Sequence, residues 1–498
     1  MSSALVQLAL VQVFIVLVAL GRAKGLAMLL GPASFGVTST LDQIVLTAFS
    51  IGGLGVPYTA LRLMSRAHSE GPIAFSLVGS MFLRRMIFLG GTTLLVGAAV
   101  LTVWPGLFGD ELGPYALEQR LAMVGVLPVF MTVFLASSFA AVGKHTAASV
   151  STIAINLGLA VAAVAGAVVG GVRGLYLATA AAGPVICLLI VGTLIKSLGL
   201  RLWPAPGAAK RPRSGADSQA TIVGQAACFY GILVASAVAM LSSRTSVMAQ
   251  LGEAATGQLQ SILSIALTVG AVMYALGNVY LVPLLNRLVP PETKVATADA
   301  FVARMIVLMV LAAVCVALFP TLLIQLLYTA AFLPAAHALW LFVVWQCVYQ
   351  VAVVYQQLLI GLDDVFFTAA AAVAAFAAAV ALMSPLISWL GLSGVALAMT
   401  VGMLGYLGAL LARLRWVHNA RPSARVLGRL AAVLGLVAAA GVAGQMPLGP
   451  GSWLARAGVV GLVALWVRLG LDPDERDPRM WLRAVPSKPA PLNRDPKS

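Results

Sequence analysis

The sequence predicts an all-α polytopic membrane protein with about 14 transmembrane helices. These helices would form two pseudo-symmetric six-helix lobes, followed by an extra C-terminal helix pair. Charged residues make up only 9% of the chain and hydrophobic residues 61%, with a mean hydropathy of +1.00, which leaves too little charge to cover a soluble core. Apolar segments of about 20 residues recur along nearly the whole chain. An arrangement of two apolar helices joined by a glycine turn, in residues 22–66, also returns in the second half at residues 251–287.

The first lobe is predicted to occupy residues 1–195. Its six spans are placed near 5–30, 36–61, 86–108, 121–142, 146–170 and 175–195. A polar connector rich in proline and basic residues follows at 196–219. Proline-rich segments are semi-rigid spacers, so this connector is predicted to be a cytoplasmic linker and the hinge between the lobes.

The second lobe is predicted to occupy residues 220–412. Its six spans are placed near 220–248, 258–285, 301–328, 336–360, 366–390 and 394–412. A basic connector and two further spans, near 426–446 and 452–470, make up the added region 413–470. The remaining residues, 471–498, mix proline with charges of both signs, which predicts a disordered cytoplasmic tail.

An internal repeat relates residues 22–66 to residues 251–287. In the first copy an apolar helix carrying Arg22 and Lys24 meets a turn at Gly31, and a second apolar helix follows. At one constant offset the identical residues are Leu30, Gly31, Ala33, Gly36, Leu46, Thr47, Leu63 and Arg66, matched by Leu251, Gly252, Ala254, Gly257, Leu267, Thr268, Leu284 and Arg287. Since each half has an even number of spans, the repeats are parallel. Such repeats are typical of transporters whose substrate site lies between the halves.

The distribution of basic residues predicts the orientation in the membrane. With the N-terminus inside, nearly all loop arginines and lysines fall on the cytoplasmic side, and the opposite loops hold only Arg120, Arg173 and Arg456. Both termini are therefore predicted to be cytoplasmic. The net charge of +15 reflects this bias and an attraction to anionic membrane lipids. The basic residues are scattered and lack an aromatic stacking platform, so no nucleic-acid partner is expected.

No catalytic or metal site is predicted. The cysteines lie inside apolar spans without metal spacing, and the histidines lack a second ligand at helical spacing. These residues are Cys187, Cys228, Cys315 and Cys347, and His68, His145, His337 and His418. There is no Walker A sequence and no nucleophile elbow. We therefore expect a protein that is not an enzyme and needs no cofactor.

Three cations inside predicted spans are the candidate substrate-binding residues. Arg22 lies about 13 Å from the turn at Gly31 at 1.5 Å per residue, Lys24 is slightly shallower, and Arg244 has an equivalent depth in the seventh span. One interpretation is that the three side chains extend to the outer headgroups. The other is that they meet in a central, water-filled cavity for an anionic substrate, where the arginine fork suits phosphate oxygens.

Other polar residues within spans are weaker candidates. Asp42 is either a solvated charge near a helix N-terminus, a counter-charge to Arg22, or an ion-coupling site. In the tenth predicted span, the candidate glycan-binding or cavity-lining residues on one helix face are Gln346, Tyr349, Gln350 and Gln357. Such side chains in a membrane helix form interhelical hydrogen bonds or line a wet interior.

The first-span arginine, the turn LGPASFG and the basic end of the second helix resemble a known family. This is the polysaccharide-transporter branch of the multidrug/oligosaccharidyl-lipid/polysaccharide (MOP) flippase superfamily, which includes the Wzx-type O-antigen flippases. The resemblance covers the whole chain in topology, whereas its motif is confined to 22–66 and the echo at 251–287.

The resemblance implies a V-shaped, MATE-like fold whose two lobes rock to expose a central cavity to either side. It implies transport of an undecaprenyl-pyrophosphate-linked oligosaccharide from the inner to the outer leaflet of the bacterial inner membrane, for surface polysaccharide assembly. The cavity cations would neutralise the pyrophosphate. Glycan polymerases or assembly proteins would be possible partners.

Three alternative functions stay open. A lipid II flippase would use the same pyrophosphate chemistry. A MATE-type drug/cation antiporter would need carboxylates deep in the lobes, where this chain has arginines. A non-transporting membrane partner of the glycan pathway would tolerate loss of the cavity cations, whereas a flippase would not.

Overall fold

The protein is all-helical over the residues that its structure, a computed structural model, describes. These are residues 2–202, 219–277, 290–420 and 424–470 apart from position 448, with the single positions 281 and 285. Within this part of the chain, 11 helical segments are long and apolar enough to cross a membrane. Two of them contain a glycine break and cross twice, so the bundle agrees with the predicted count of about 14 helices.

The helices of the first half precede residue 200. They are α1 (2–30), α2 (32–52), α3 (Val56–Glu70), α4 (Pro72–Val103), α5 (Ala116–Met123), α6 (Val126–Ala141), α7 (145–169) and α8 (172–198). A 3-10 helix, Asp110–Tyr115, precedes α5. The segment α3 contradicts one predicted boundary: the second span, expected over 36–61, ends at Gly52, because Leu54 and Gly55 take positive φ angles of 46° and 69°.

The helices of the second half begin beyond residue 218. They are α9 (Gln219–Leu251), α10 (Glu253–Leu276), α11 (Pro291–Leu318), α12 (Pro320–Leu327), α13 (Leu339–Gly361), α14 (Val365–Leu390), α15 (Leu392–Trp416), α16 (Ala424–Gln445) and α17 (Pro450–Gly470). A 3-10 helix, Ala330–Ala338, precedes α13. The helix α11 starts ten residues before the predicted span 301–328. Most of the predicted linker 196–219 and the tail 471–498 lie outside the described residues, so their predictions stay untested.

The internal repeat has a direct geometric counterpart. Gly31 and Gly252, which divide α1 from α2 and α9 from α10, both take positive φ angles, 69° and 88°, that other residues rarely adopt. Five residues further on, Gly36 and Gly257 face each other across the interface between the halves. A side chain on either glycine would collide with the backbone of the other helix. We call the membrane face that holds Gly31 and Gly252 the turn end.

The close contact at the turn end is reciprocal. A Cβ atom on Gly36 would meet the carbonyl of Glu253 and the amide of Gly257, and a Cβ atom on Gly257 would meet the carbonyl of Pro32 and the amide of Gly36. The two sets of partners differ by the same offset that aligns the repeats. The pseudo-two-fold axis therefore passes between these glycines, and the arrangement is two pseudo-symmetric lobes with α2 packed against α10.

Aromatic side chains close the interface at the turn end. Phe35 of the first lobe packs against Tyr328 and Phe332 of the second, with ring centroids 6.1 Å and 5.8 Å away. All three rings are buried. The segment between α11 and α13, which contains α12 and the 3-10 helix Ala330–Ala338, thus covers the point where the lobes meet.

The extra helix pair lies against the second lobe. The helix α16 packs on α11 and α13, and α17 packs on α16. Gly441 sits directly on the ring of Trp340, and Gly444 approaches the carbonyl of Ala317. These small residues let α16 come close to the lobe, as is usual for helices packed in a membrane.

Candidate functional site

The predicted cation Arg22 and the predicted carboxylate Asp42 form an ion pair between α1 and α2. The guanidinium Nη2 of Arg22 donates to Oδ2 of Asp42 at 2.9 Å. The pair has this geometry because the turn at Gly31 makes α1 and α2 antiparallel, which brings residues at similar distances from the turn to the same depth. Asp42 is therefore the counter-charge of Arg22, and the Arg22 side chain does not extend freely to the headgroups.

A tyrosine from a third helix completes this pair. The hydroxyl of Tyr176, on α8, lies 3.1 Å from Oδ1 of Asp42 and 3.0 Å from the carbonyl oxygen of Thr38. Tyr176 is buried, so it ties α2 to α8 inside the first lobe. The sequence analysis did not identify Tyr176, because a tyrosine in an apolar span gives no signal that separates a hydrogen-bond donor from a packing residue.

Arg244 has no carboxylate partner among the described residues. Only 7% of this residue is exposed. Its Nη1 donates to the carbonyl of Met240 at 3.0 Å, and its Nη2 donates to Oε1 of Gln260 at 2.7 Å. The Gln260 amide donates in turn to the hydroxyl of Ser264 at 3.1 Å. The Nε atom of Arg244 is buried without a hydrogen-bond partner.

The two halves of the site are alike in geometry and different in charge. Each arginine lies on the first helix of its repeat and bonds across the glycine turn to the second helix, to Asp42 in one copy and Gln260 in the other. Two guanidiniums against one carboxylate leave one positive charge uncompensated, and the contacts place it on Arg244.

Lys24 does not join this charged group. Its ammonium donates to the carbonyl oxygen of Leu326 at 2.8 Å, near the C-terminal end of α12. The carbonyls at a helix C-terminus carry partial negative charge and favour a cation. Lys24 therefore links the first lobe to the second at the turn end, beside the ring of Phe35 and its partners.

The predicted polar row on α13 divides between two environments. The amides of Gln346 and Gln350 are buried against Gly270 of α10, where a side chain on the glycine would collide with both. The Oε1 atom of Gln346 has no hydrogen-bond partner. Tyr349 and Gln357 instead line a cavity of about 120 Å³ inside the second lobe. The row thus lies within the lobe, and its predicted role in glycan binding stays a prediction.

Two cavities lie at the seams between the lobes. One, of about 400 Å³, is lined by α2, α4, α5 and α9, and it includes Thr47 and Leu241. The other, of about 230 Å³, lies between α1 and α10 and includes Thr268 and Leu20. These residues correspond at the offset of the repeat, so the cavities are pseudo-symmetric. Both are lined mainly by apolar side chains.

A separate charged cluster lies at the membrane face opposite the turn end. Arg413 donates to both carboxylate oxygens of Asp364, from Nε at 2.6 Å and from Nη2 at 3.2 Å, and Nε2 of His418 lies 3.1 Å from Oδ2. Burial raises the pKa of the Asp364 carboxyl, but the hydrogen bonds from Arg413 and His418 lower it by more, so the pKa is below its ordinary value. This cluster joins the start of α14 to the end of α15.

In the described part of the chain, no group of three histidine, cysteine or acidic side chains is placed to hold a metal ion. A buried guanidinium with an unsatisfied N–H group is suited to bind an oxyanion, for which it supplies parallel donors.

Solved structures of membrane transporters share this fold. The lipid II flippase MurJ in an inward closed conformation is similar with a TM-score of 0.66 and 12% identity, over 92% of this chain and 97% of that one. An inward-facing multidrug resistance MATE family transporter of the MOP superfamily gives 0.61 and 14%, over 85% and 98%. A mutant of the Vibrio cholerae MATE transporter VcmN gives 0.57 and 17%, over 84% and 97%. At these identities the likeness establishes the fold.

No family model and no curated protein sequence matches this chain. The fold and the spans define a multi-pass membrane protein with the same architecture as these transporters and this flippase. The predicted V-shaped, MATE-like arrangement of two lobes is thereby confirmed.

Proposed function

We propose that this protein is a flippase for an undecaprenyl-pyrophosphate-linked oligosaccharide. It would move the substrate from the inner to the outer leaflet of a bacterial inner membrane by alternating access, with both termini in the cytoplasm. The observation that carries the proposal is Arg244, a buried arginine at the interface of two pseudo-symmetric lobes that has no carboxylate partner in the described part of the chain.

The pyrophosphate is the group that Arg244 recognises in this proposal. A cation in a membrane protein is costly unless it is paired, and partnering by Gln260 and a backbone carbonyl leaves the charge itself uncompensated. A pyrophosphate oxygen supplies the missing charge and accepts the donors that remain. Binding by one such cation is weak enough to allow release on the other side.

In the empty site, the Asp42 carboxylate takes the place of the substrate as the partner of Arg22. When the site is empty, the Asp42 carboxylate holds the Arg22 guanidinium at 2.9 Å. An entering pyrophosphate competes for the same donors and draws Arg22 toward Arg244. In this scheme Asp42 prevents two adjacent cations from repelling each other between transport events.

In this proposal the lipid chain and the pyrophosphate of the substrate contact different surfaces. The mainly apolar seam cavities beside α9 and α10 accept the polyprenyl chain, while the charged group lies between them. Movement of the substrate to the turn end requires separation of Gly36 from Gly257 and of Lys24 from Leu326. It also requires separation of Phe35 from Tyr328 and Phe332, so opening at this end exposes three rings that are buried in this structure.

The alternatives differ in the substrate or in the need for the cation. A lipid II flippase uses the same pyrophosphate and differs in the glycan. A MATE-type antiporter moves cationic compounds, which the excess positive charge at Arg244 disfavours. A non-transporting partner of glycan polymerases or assembly proteins needs no substrate contact at all.

The test is transport in proteoliposomes. We expect Arg244→Ala to lower the rate at which an undecaprenyl-pyrophosphate-linked glycan reaches the opposite leaflet by at least about tenfold, because one charge-assisted contact to the pyrophosphate is lost. The accessible glycan is measured with an impermeant glycan-cleaving enzyme. Lipid II and a fluorescent organic cation are offered in parallel.

The matched control is Arg173→Ala, which removes an exposed arginine beside the glycine break between α7 and α8. It should transport at the native rate. Native transport by Arg244→Ala at equal protein content would refute the proposed pyrophosphate site. Transport of lipid II alone would replace the proposed substrate with that lipid.

A further inference from the structure

A cavity at the turn end, separate from those described above, holds a buried arginine that the proposed transport site does not use. The cavity, of about 780 Å³, lies where the segment between α11 and α13 meets the loop between α16 and α17. Its lining includes Phe319, His337, Gln445, Trp453 and Arg456. Arg456 is one of three basic residues that the positive-inside pattern places on the outer side.

Arg456 is buried without a carboxylate partner among the described residues. Only 7% of it is exposed, and its Nε atom has no hydrogen-bond partner. Its one hydrogen bond is long, from Nη2 to the carbonyl of Gly444 at 3.5 Å. The guanidinium lies 5.6 Å from the ring centre of Phe319 and 5.4 Å from that of Trp453. These cation–π contacts orient the charge without neutralising it.

The remaining polar groups of the cavity leave the positive charge unbalanced. The Gln445 amide donates to the carbonyl of His337 at 3.0 Å, which fixes the wall opposite α17. Thr321 and Gln325 add further uncharged polar side chains to the lining. The described lining contains no aspartate or glutamate, so an anion that enters meets hydrogen-bond donors and no repelling charge.

The rim of the cavity carries exposed apolar side chains. Leu322 and Trp453 line the cavity and are both exposed, and Leu454, next to Trp453 on α17, is exposed as well. Tryptophan near the end of a transmembrane helix is typical of the membrane–water interface. A ligand in this cavity would therefore contact apolar side chains with one part and a buried guanidinium with another.

We propose that this cavity binds the phosphate group of a membrane phospholipid at the turn end, with Arg456 as the anion-binding residue. The acyl chains lie on the exposed apolar surface beside α17. The site is separate from Arg22 and Arg244, and it does not depend on the transported substrate. A free phosphate ion shares the recognised chemistry but lacks the chains that the rim would contact.

The test is a thermal unfolding titration of the detergent-solubilised full chain with three probes. These are dioctanoyl-phosphatidylglycerol, inorganic phosphate, and dioctanoylglycerol, which has the same chains without the phosphate. We expect the phosphatidylglycerol to raise the Tm of the native chain in a saturable way. We expect Arg456→Gln to raise its apparent Kd at least tenfold, with no change for Arg173→Gln.

A second variant separates ligand binding from a purely structural role of the arginine. Ala336→Phe fills the cavity and leaves Arg456 in place, so it should also abolish the Tm shift, even if Arg456→Gln folds poorly. An equal shift with dioctanoylglycerol, or unchanged phosphatidylglycerol binding by both variants, would overturn the proposal. A shift of the same size with inorganic phosphate would assign the site to a free anion instead of a lipid.

Discussion

At the scale of single residues, the central finding is that two arginines in equivalent places have unlike partners. Arg22 is neutralised by Asp42, whereas Arg244 is held by the neutral side chain of Gln260. The difference decides where an anion would bind, since an arginine already paired with a carboxylate offers less attraction to a second acceptor. In the proposed function, Asp42 would then control how strongly the two arginines hold the pyrophosphate.

This arrangement gives a prediction for Asp42→Asn. Removal of the carboxylate frees Arg22, so we expect the affinity for the pyrophosphate-linked substrate to rise about tenfold, equivalent to about 1.4 kcal/mol. Transport should become slower, because release from two unpaired cations is harder. Substrate affinity and transport rate are measured in the same detergent-purified and reconstituted samples.

Asp110→Asn is the control, because it removes an exposed acid of the 3-10 helix Asp110–Tyr115, which contributes no contact to either arginine among the described residues. It should leave both quantities unchanged. If Asp42→Asn weakens substrate affinity, then Asp42 contributes to binding directly, and its ion-coupling role becomes the stronger hypothesis.

The sequence predicted the depth of these charged residues in their helices better than it predicted the partners that they contact. The depth of Arg22 and Arg244 follows from counting residues back from the turn glycines, because the helical rise is constant. The contact of Lys24 with Leu326 joins residues far apart in the chain, and the fold of the segment after α11 has no periodic signal. The burial of Gln346 against Gly270 likewise depends on which neighbour that helix face meets.

At the scale of helices, turn residues at the helix ends predict helix boundaries better than the hydropathy of the spans does. Glycines with positive φ angles mark the hairpin turns at 31 and 252, and they made these boundaries predictable. The break at 53–55 was missed, because the hydropathy of the chain continues across it. The start of α11 was placed too late because its first turns carry Glu292 and Lys294. Hydropathy alone assigns such charged residues to a loop.

The cluster of Asp364, Arg413 and His418, which joins the start of α14 to the end of α15, gives a prediction about acid stability. The pKa of Asp364 is lowered in the folded protein, so its contribution to stability is fully present above the unfolded pKa of about 3.9 and is lost as the pH falls through the lower folded value. We expect Asp364→Asn to lower the Tm at pH 7. The difference from the native chain should shrink below pH 4.

The measurement is thermal unfolding in detergent from pH 7 to pH 3. Asp363→Asn, on the neighbouring residue, is the matched control and should follow the native curve, because the bidentate contact with Arg413 involves Asp364. A Tm difference that stays constant down to pH 3 would mean that the carboxylate does not stabilise the fold by its charge.

At the scale of the whole molecule, the lobes meet at the turn end through the backbones of α2 and α10. A Cβ atom on Gly36 would lie 2.2 Å from the carbonyl oxygen of Glu253, and that oxygen belongs to a backbone that cannot rotate away. Gly36→Ala should therefore push the lobes apart at this face and favour the conformation that is open there.

The distance between the lobes tests this prediction. Spin labels at Arg120→Cys and Trp389→Cys, in a chain without its native cysteines, report the separation at the turn end by pulsed electron resonance. We expect Gly36→Ala to increase the mean distance by several ångströms, whereas Gly91→Ala, where the new methyl group meets open space, leaves it unchanged. Identical distributions for both variants would show that this contact does not set the conformation.

The contact between Gly36 and Gly257 has a consequence for the origin of the fold. Each glycine touches the same part of the other repeat, so the interface is self-complementary in the way that a symmetric homodimer interface is. A half-length ancestor with glycine at this one position would have met a second copy of itself through the identical surface. Fusion of two such chains would then have kept the dimer geometry while each half became free to change its charges separately.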